Sequence, residues 1–315
     1  MTFALQCGGR LRFSCAIRSR EWPLGVKAIL VLVTVLVALT STPAGQDVYW
    51  CPMHPDVRGK PGDKCPICGM ALVRAAAADY AAYVLDVETV PRVLRPQQKG
   101  QVRFLVRDPR SLATVKRFDL VHERVFHLFV IGQDLEYFRH VHPVLRQNGS
   151  LDVDIELPRA GVYQLIADFM PEGGSPQLLQ KSIVTAGYTG PLVSPPALKR
   201  DTGDKVIDGT RVKLTMPEPV AGREQLVTFD LEDSVSGAPL RDLEPYLGAA
   251  GHLLLVSADL SIASHSHPVA EISSAGGPTV VFQMIFPRAG DYRMWVQFQR
   301  HGEVLTSSFT VPVRD

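Results

Sequence analysis

Two sets of residues in this chain are of types that hold metal ions. The first lies in Cys51-Pro-Met-His54 and Cys65-Pro-Ile-Cys68. In each stretch two ligand-type residues are separated by two others. One tight turn can then aim both side chains at one point, and two such turns close a tetrahedron of three thiolates and one imidazole. Met53 and Met70 lie beside it, and thioether sulfur suits Cu(I) and other soft ions. The second set is histidine, and it occurs twice. His127, His140 and His142 recur as His252, His265 and His267 at identical spacing. His140 and His142 are two residues apart, so an extended chain puts both rings on one side, about 7 Å apart along the strand. His127 opens a separate apolar run and can supply a third nitrogen. Three imidazoles suit Cu(II) or Zn(II). Asp134 and Asp259 recur as well, as candidate carboxylate ligands or as partners that orient the imidazoles.

Each set also has a plainer reading. Cys65 and Cys68 can pair in a disulfide and leave Cys51 free, or the cluster can hold one permanent zinc that only folds the segment. A block of ~28 residues cannot bury enough apolar surface to fold unaided, so it needs some staple. The histidine favours a metal, because it completes a four-ligand set that a disulfide does not require. Recurring histidines are also what duplication of structural residues produces. A His before Pro can cap a turn, and an Asp before Leu can form an Asx-turn. Against that, Ser264-His-Ser-His267 is too polar for a core strand and reads as solvent-facing, where packing has no use for two imidazoles. His122 and His301 lack counterparts in the other copy and read as ordinary surface residues.

The elements that must position these residues come from an internal repeat. His127-Leu-Phe-Val-Ile and His140-Val-His-Pro143 align with His252-Leu-Leu-Leu-Val and His265-Ser-His-Pro268 at an offset of 125. Leu157-Pro-Arg-Ala-Gly-Val-Tyr163 aligns with Phe286-Pro-Arg-Ala-Gly-Asp-Tyr292 at an offset of 129, so the second copy carries a four-residue insertion near 273–277. Within each copy short runs rich in β-branched and aromatic residues, partly alternating, are punctuated by Gly, Pro, Asn and Asp. Pro-Arg-Ala-Gly before Tyr looks like a tight corner entering a strand. The pattern predicts an all-β chain: a small metal-knuckle module at 47–74, then two tandem immunoglobulin-like β-sandwiches at 83–187 and 205–315. An Ala-rich stretch at 75–82 reads as a tether or short helix, and a Pro-rich linker joins the repeats.

Residues 1–45 have the layout of a secretory signal peptide. A leader with five basic residues and one acidic residue precedes an apolar run of 12 residues and a small-residue exit. A spanning helix needs ~20 residues, which makes an uncleaved inner-membrane anchor the alternative. The expected location is therefore periplasmic or secreted. Cys7 and Cys15 fall in the leader, leaving an odd three cysteines beyond it, which in an oxidising compartment asks for an explanation. The full chain of 315 residues has a formal charge of +1, which argues against a nucleic-acid partner. No nucleophile elbow, phosphate loop or dinucleotide fingerprint is present, and neither repeat has the Cys-His pair of a copper oxidase, so no enzyme is expected.

Tyr49-Trp-Cys-Pro-Met-His-Pro-Asp with Pro61-Gly-Asp-Lys-Cys-Pro-Ile-Cys-Gly-Met-Ala-Leu72 closely resembles the heavy-metal-binding domain of copper and silver efflux adaptors and of some copper-transporting P-type ATPases. The resemblance covers residues 48–73 only. It implies Cys51, His54, Cys65 and Cys68 as ligands, with Met53 and Met70 as participants. The rest of the chain lacks a pump's membrane helices and phosphorylated Asp and an adaptor's helical hairpin, so those activities do not transfer. The expected function is binding of copper or zinc, or a similar heavy metal, outside the cytoplasm for buffering, delivery or efflux support, with a membrane efflux or delivery protein as a possible partner. The alternative is a structural or adhesive interaction protein with a fold-stabilising zinc module.

Overall fold

The computed structural model describes residues 48–50, 57–64, 72–75, 82–269 and 277–315. Among them all regular structure is strand, and no helix is long and apolar enough to cross a membrane. Three short strands form an antiparallel sheet: β1 (Val48–Trp50) lies between β2 (Arg58–Gly59) and β3 (Val73–Ala75). Pro61-Gly62 forms a turn. Gly62 takes φ +85°, a backbone region where a side chain strains, and Asp63 N–H donates to the Lys60 carbonyl at 3.1 Å. Leu72 N–H returns to the Asp63 carbonyl at 2.8 Å, tying the two described stretches on either side of residues 65–71. Cys51, Met53, His54, Cys65, Cys68 and Met70 themselves lie outside the described residues, as do the leader and most of the Ala-rich stretch.

The first repeat comprises β4 (Val84–Val90), β5 (Lys99–Arg107), β6 (Phe118–Asp119), β7 (Phe126–Gly132), β8 (Phe138–Val141), β9 (Val144–Leu145), β10 (Ser150–Glu156), β11 (Val162–Pro171) and β12 (Gln177–Val184). They form two antiparallel sheets, β4-β5-β10-β9 and β12-β11-β7-β8, with β6 on the end of β11. The second repeat comprises β13 (Lys205–Ile207), β14 (Thr210–Thr215), β15 (Glu224–Asp233), β16 (Leu243–Glu244), β17 (His252–Ser257), β18 (Ala263–Ser266), β19 (Thr279–Ile285), β20 (Gly290–Arg300) and β21 (Glu303–Val313). Its sheets are β13-β14-β15-β19 and β16-β20-β17-β18, with β21 also on β20. Alternation does the sorting. Val102, Phe104 and Val106 of β5 face Leu128, Val130, Leu165 and Ala167 in one core. Val227, Phe229 and Leu231 of β15 face Leu253, Leu255, Met294 and Val296 in another. The Pro-Arg-Ala-Gly-Xaa-Tyr motifs make the expected corners. Tyr163 OH donates to the Arg159 carbonyl and Tyr292 OH to the Arg288 carbonyl, each at 2.9 Å, the tie that marks immunoglobulin-like sandwiches.

A third core joins the repeats. Phe129, Ile131 and Ile166 pack with Leu254, Val256 and Trp295, so the inner sheet of each sandwich covers the other. Phe138 stacks on Trp295 at 5.1 Å, and Arg293 Nη2 pairs with Glu136 Oε1 at 2.7 Å across the seam. Every residue of β7 is buried in consequence. The seam overturns the expectation that Ser264-His-Ser-His267 meets solvent: His265 and His267 are 6% and 4% exposed. The polar face of β18 is turned towards the first sandwich, not towards water.

Candidate metal centre

The two histidine sets, expected as one site per repeat, meet in this seam. His127 stands at the start of β7 and His140 on β8, where Phe129 pairs with His140. His252 opens β17, and His265 lies opposite Leu254 on β18. His142 and His267 follow one strand residue later. The ring centroids of His140 and His142 lie 4.7 Å apart, and those of His265 and His267 lie 4.4 Å apart: each pair shares one side of the chain, as two-residue spacing implies, but the rings lean closer than the expected about 7 Å. Between repeats, His127 is 5.4 Å from His265 and 6.0 Å from His252, centroid to centroid.

A seventh ring joins them. His122 was expected at the surface; it is 9% exposed, stacked on His267 at 3.4 Å between centroids and packed edge-on to His252. It sits in a two-residue hairpin turn in which His122 and Glu123 take φ +47° and +62°, closed by reciprocal backbone bonds between Val121 and Arg124. The second repeat has the same turn, with Leu247 and Gly248 at φ +51° and +73°. Because Leu247 stands where His122 does, the repeat alignment gave no reason to single His122 out. A histidine held in the left-handed region was the available signal, and only the backbone displays it.

The hydrogen bonds fix which nitrogens are free. His127 Nε2 lies 2.9 Å from the Val121 carbonyl and His252 Nε2 lies 2.9 Å from the Tyr246 carbonyl. A carbonyl only accepts, so each Nε2 carries the hydrogen and each Nδ1 presents a lone pair. His140 Nδ1 donates to Gln297 Oε1 at 2.8 Å, with Gln297 Nε2 in turn donating to Thr306 Oγ1, and His265 Nδ1 donates to Asp168 Oδ2 at 2.6 Å. In the neutral His140 ring this leaves Nε2 bare. His127 Nδ1 and His140 Nε2, both bare, face each other 3.0 Å apart, and the bare His252 Nδ1 lies 3.1 Å from His265 Nε2 and 3.0 Å from His267 Nε2. Three further buried nitrogens, His122 Nε2, His142 Nε2 and His267 Nδ1, have no partner. Ligand atoms of His127, His140 and His142 all lie within 4.8 Å of one another, as do those of His122, His252 and His267.

Burial keeps six of these rings neutral, His122, His127, His140, His142, His252 and His267. It pushes His127 down to about 4 and His122 and His142 to about 3, with other histidines adding to each shift. Burial likewise holds His140, His252 and His267 well below the ordinary histidine value. Burial alone would raise Asp168, but the hydrogen bond and charge of His265, with His127 and His122 behind it, bring it net below the usual carboxylate range. Neutral imidazole is the form that binds metal. Asp134 and Asp259, expected as ligands or orienting partners, are neither. Asp134 accepts the Glu136 N–H at 3.1 Å and pairs with Arg159. Asp259 accepts from Ser257 Oγ at 2.7 Å and pairs with Arg288. Both close Asx-turns against the arginine of the corner motif. His301 is exposed as expected, 3.0 Å from Asp242.

The fold and the seam define a duplicated all-β protein with tandem immunoglobulin-like sandwiches that pool their histidines. The chain belongs to the family described as a domain of unknown function (DUF8832), whose family model matches residues 80–183 and 204–315. Residues 48–75 match the heavy metal binding domain, which supports metal binding as the coarse activity of the chain. No curated protein matches the sequence. Among solved structures, the Escherichia coli adhesin FdeC is similar at 12% identity and TM-score 0.25, over 78% of this chain and 69% of that one. The Yersinia pseudotuberculosis adhesin InvE is similar at 9% identity and TM-score 0.23, over 75% of this chain and 61% of that one. A two-domain fibronectin type III segment of chicken tenascin is similar at 10% identity and TM-score 0.22, over 72% of this chain and 97% of that one. These likenesses say nothing of activity.

Proposed function

We infer that this is an exported copper-binding protein that buffers, delivers or helps to expel the metal outside the cytoplasm. Cys51, His54, Cys65 and Cys68, with Met53 and Met70 alongside, hold a soft ion such as Cu(I). The histidines of the repeats hold harder ions through nitrogen. The protein works by ligand exchange and not by turnover, and a membrane efflux or delivery protein takes or supplies the ion. The observation that carries this reading is the pair of imidazole nitrogens, His127 Nδ1 and His140 Nε2, facing each other 3.0 Å apart in the seam, with four more histidines around them. Lone pairs at that separation repel unless a proton or a metal cation lies between them, so the pair is a ready donor set for a metal. The heavy-metal-binding segment adds independent support.

Elemental analysis of protein from its native compartment, followed by competition with a copper chelator, tests it. The expected result is copper in more than one equivalent per chain, surrendered to the chelator while the far-ultraviolet strand signal persists. A single zinc whose removal unfolds residues 47–74, with no other metal bound, would instead make the module a structural staple.

A further inference from the structure

We propose that the two repeats build one shared two-ion imidazole centre in the seam between the sandwiches, a site that neither repeat completes alone. It rests on the metal-binding reading of the histidines given above. The ligand groups do not respect the repeat boundary: His127, His140 and His142 converge within the first repeat, but the partners of His252 and His267 include His122 from the first. The orienting bonds cross the seam in both directions. His140 of the first repeat is held by Gln297 of the second, and His265 of the second by Asp168 of the first. Asp168 and Gln297 occupy the same place in the two copies, separated by the offset of 129 that relates β11 to β20. Each repeat thus sets one imidazole of the other, as a pseudo-twofold axis through the seam demands.

The two ligand groups lie together. His127 and His140 of one are 6.0 Å and 5.7 Å, centroid to centroid, from His252 of the other. Two-metal sites hold their ions about 3.5–4 Å apart, a scale that adjoining groups of this kind can serve. Three buried nitrogens without partners, on His122, His142 and His267, lie within the groups and await a ligand. The donors are all nitrogen, and Asp168, the one carboxylate at hand, is spent on His265. The ions are therefore borderline divalent cations, Cu(II) or Zn(II), and not Ca²⁺ or Mg²⁺. A cleft of about 260 Å³ bordered by Val121, Asp168, Met170, Leu178, Ser264 and His265 reaches the Asp168–His265 pair beside the centre.

The test uses the full chain with Cys65→Ser to silence the thiolate module, stripped of metal and titrated with copper(II) at neutral pH. Two copper(II) ions should bind, and their electron paramagnetic resonance should show a half-field transition and less intensity than two isolated ions give. His122→Gln should remove the second ion and return the spectrum of the first to that of an isolated centre. Asp168→Asn, which deletes no ligand, should weaken copper binding by about 10- to 100-fold. Thermal melts of both variants establish that they fold. Two bound ions with uncoupled, full-intensity spectra would overturn the shared centre while leaving the metal reading intact, as would binding indifferent to both substitutions. No nitrogen-bound copper at all would remove the metal reading of the histidines with it.

Discussion

His127 and His252 are each tethered by Nε2 to a backbone carbonyl of the hairpin turn just before them, which leaves Nδ1 committed to the centre. That local tie, repeated 125 residues on, orients a ligand without a second side chain. The cost is a set of neutral rings that resist protons, and it gives a pH dependence with a definite sign. An unfolded histidine takes up a proton near pH 6.5, whereas His127 waits until about 4 and His122 and His142 until about 3. The unfolded chain binds more protons across that window, so stability falls as pH drops below about 6.5 and is unaffected by these rings above it. The lowered carboxyl of Asp168 acts in the same sense at the acid end. Melting temperatures of the metal-free protein should be level from pH 8 to 7 and decline from pH 6.5 to 4; a level profile down to pH 4 would contradict the burial argument. The corner tyrosines allow a second residue-scale check. Tyr292→Phe leaves the Arg288 carbonyl without its partner and should cost about 1–3 kcal/mol in denaturant unfolding, with Tyr163→Phe behaving alike; no loss in either would show that the corner ties are dispensable.

At the scale of elements, β7 and β17 decide the arrangement, because each serves two cores. Leu128 and Val130 fill their own sandwich, and Phe129 and Ile131 fill the seam. Much of this could be read from the sequence. The strands, the corners, the duplication and the pairing of His140 with His142 all follow from period-two patterns and the offset. The position of the polar stretch Ser264-His-Ser-His267 could not be read so simply, because alternation tells which residues share a face but not what covers that face. The clue lay one strand away: His127-Leu-Phe-Val-Ile is apolar on both parities, which a strand with one wet face would not be. His122 escaped for a different reason, since its value is created by a turn conformation and a neighbour from the other repeat. The dependence of the site on the seam is testable. Trp295→Ala empties a position that packs against Phe138 and should cost about 3–5 kcal/mol. It should also weaken copper binding although Trp295 is not itself a ligand. Unchanged copper affinity in a destabilised variant would show that the seam and the site are independent.

For the whole molecule the consequence is that metal and domain docking are one equilibrium. A ligand that binds only the folded form at a hundred times its dissociation constant stabilises by about 2.7 kcal/mol. With donors drawn from both repeats, zinc(II) should raise the melting of both sandwiches together, in one calorimetric transition; a metal-dependent shift of one transition beside an unmoved second would show two separate bodies. In the proposed function, the thiolate module and the imidazole centre offer one chain two kinds of donor, sulfur for Cu(I) and nitrogen for Cu(II). The most direct measurement is an anomalous difference map at the copper edge from crystals of the full chain grown with copper(II). The account predicts two peaks enclosed by His122, His127, His140, His142, His252, His265 and His267. A map with copper elsewhere in the chain and no density among those rings would contradict it.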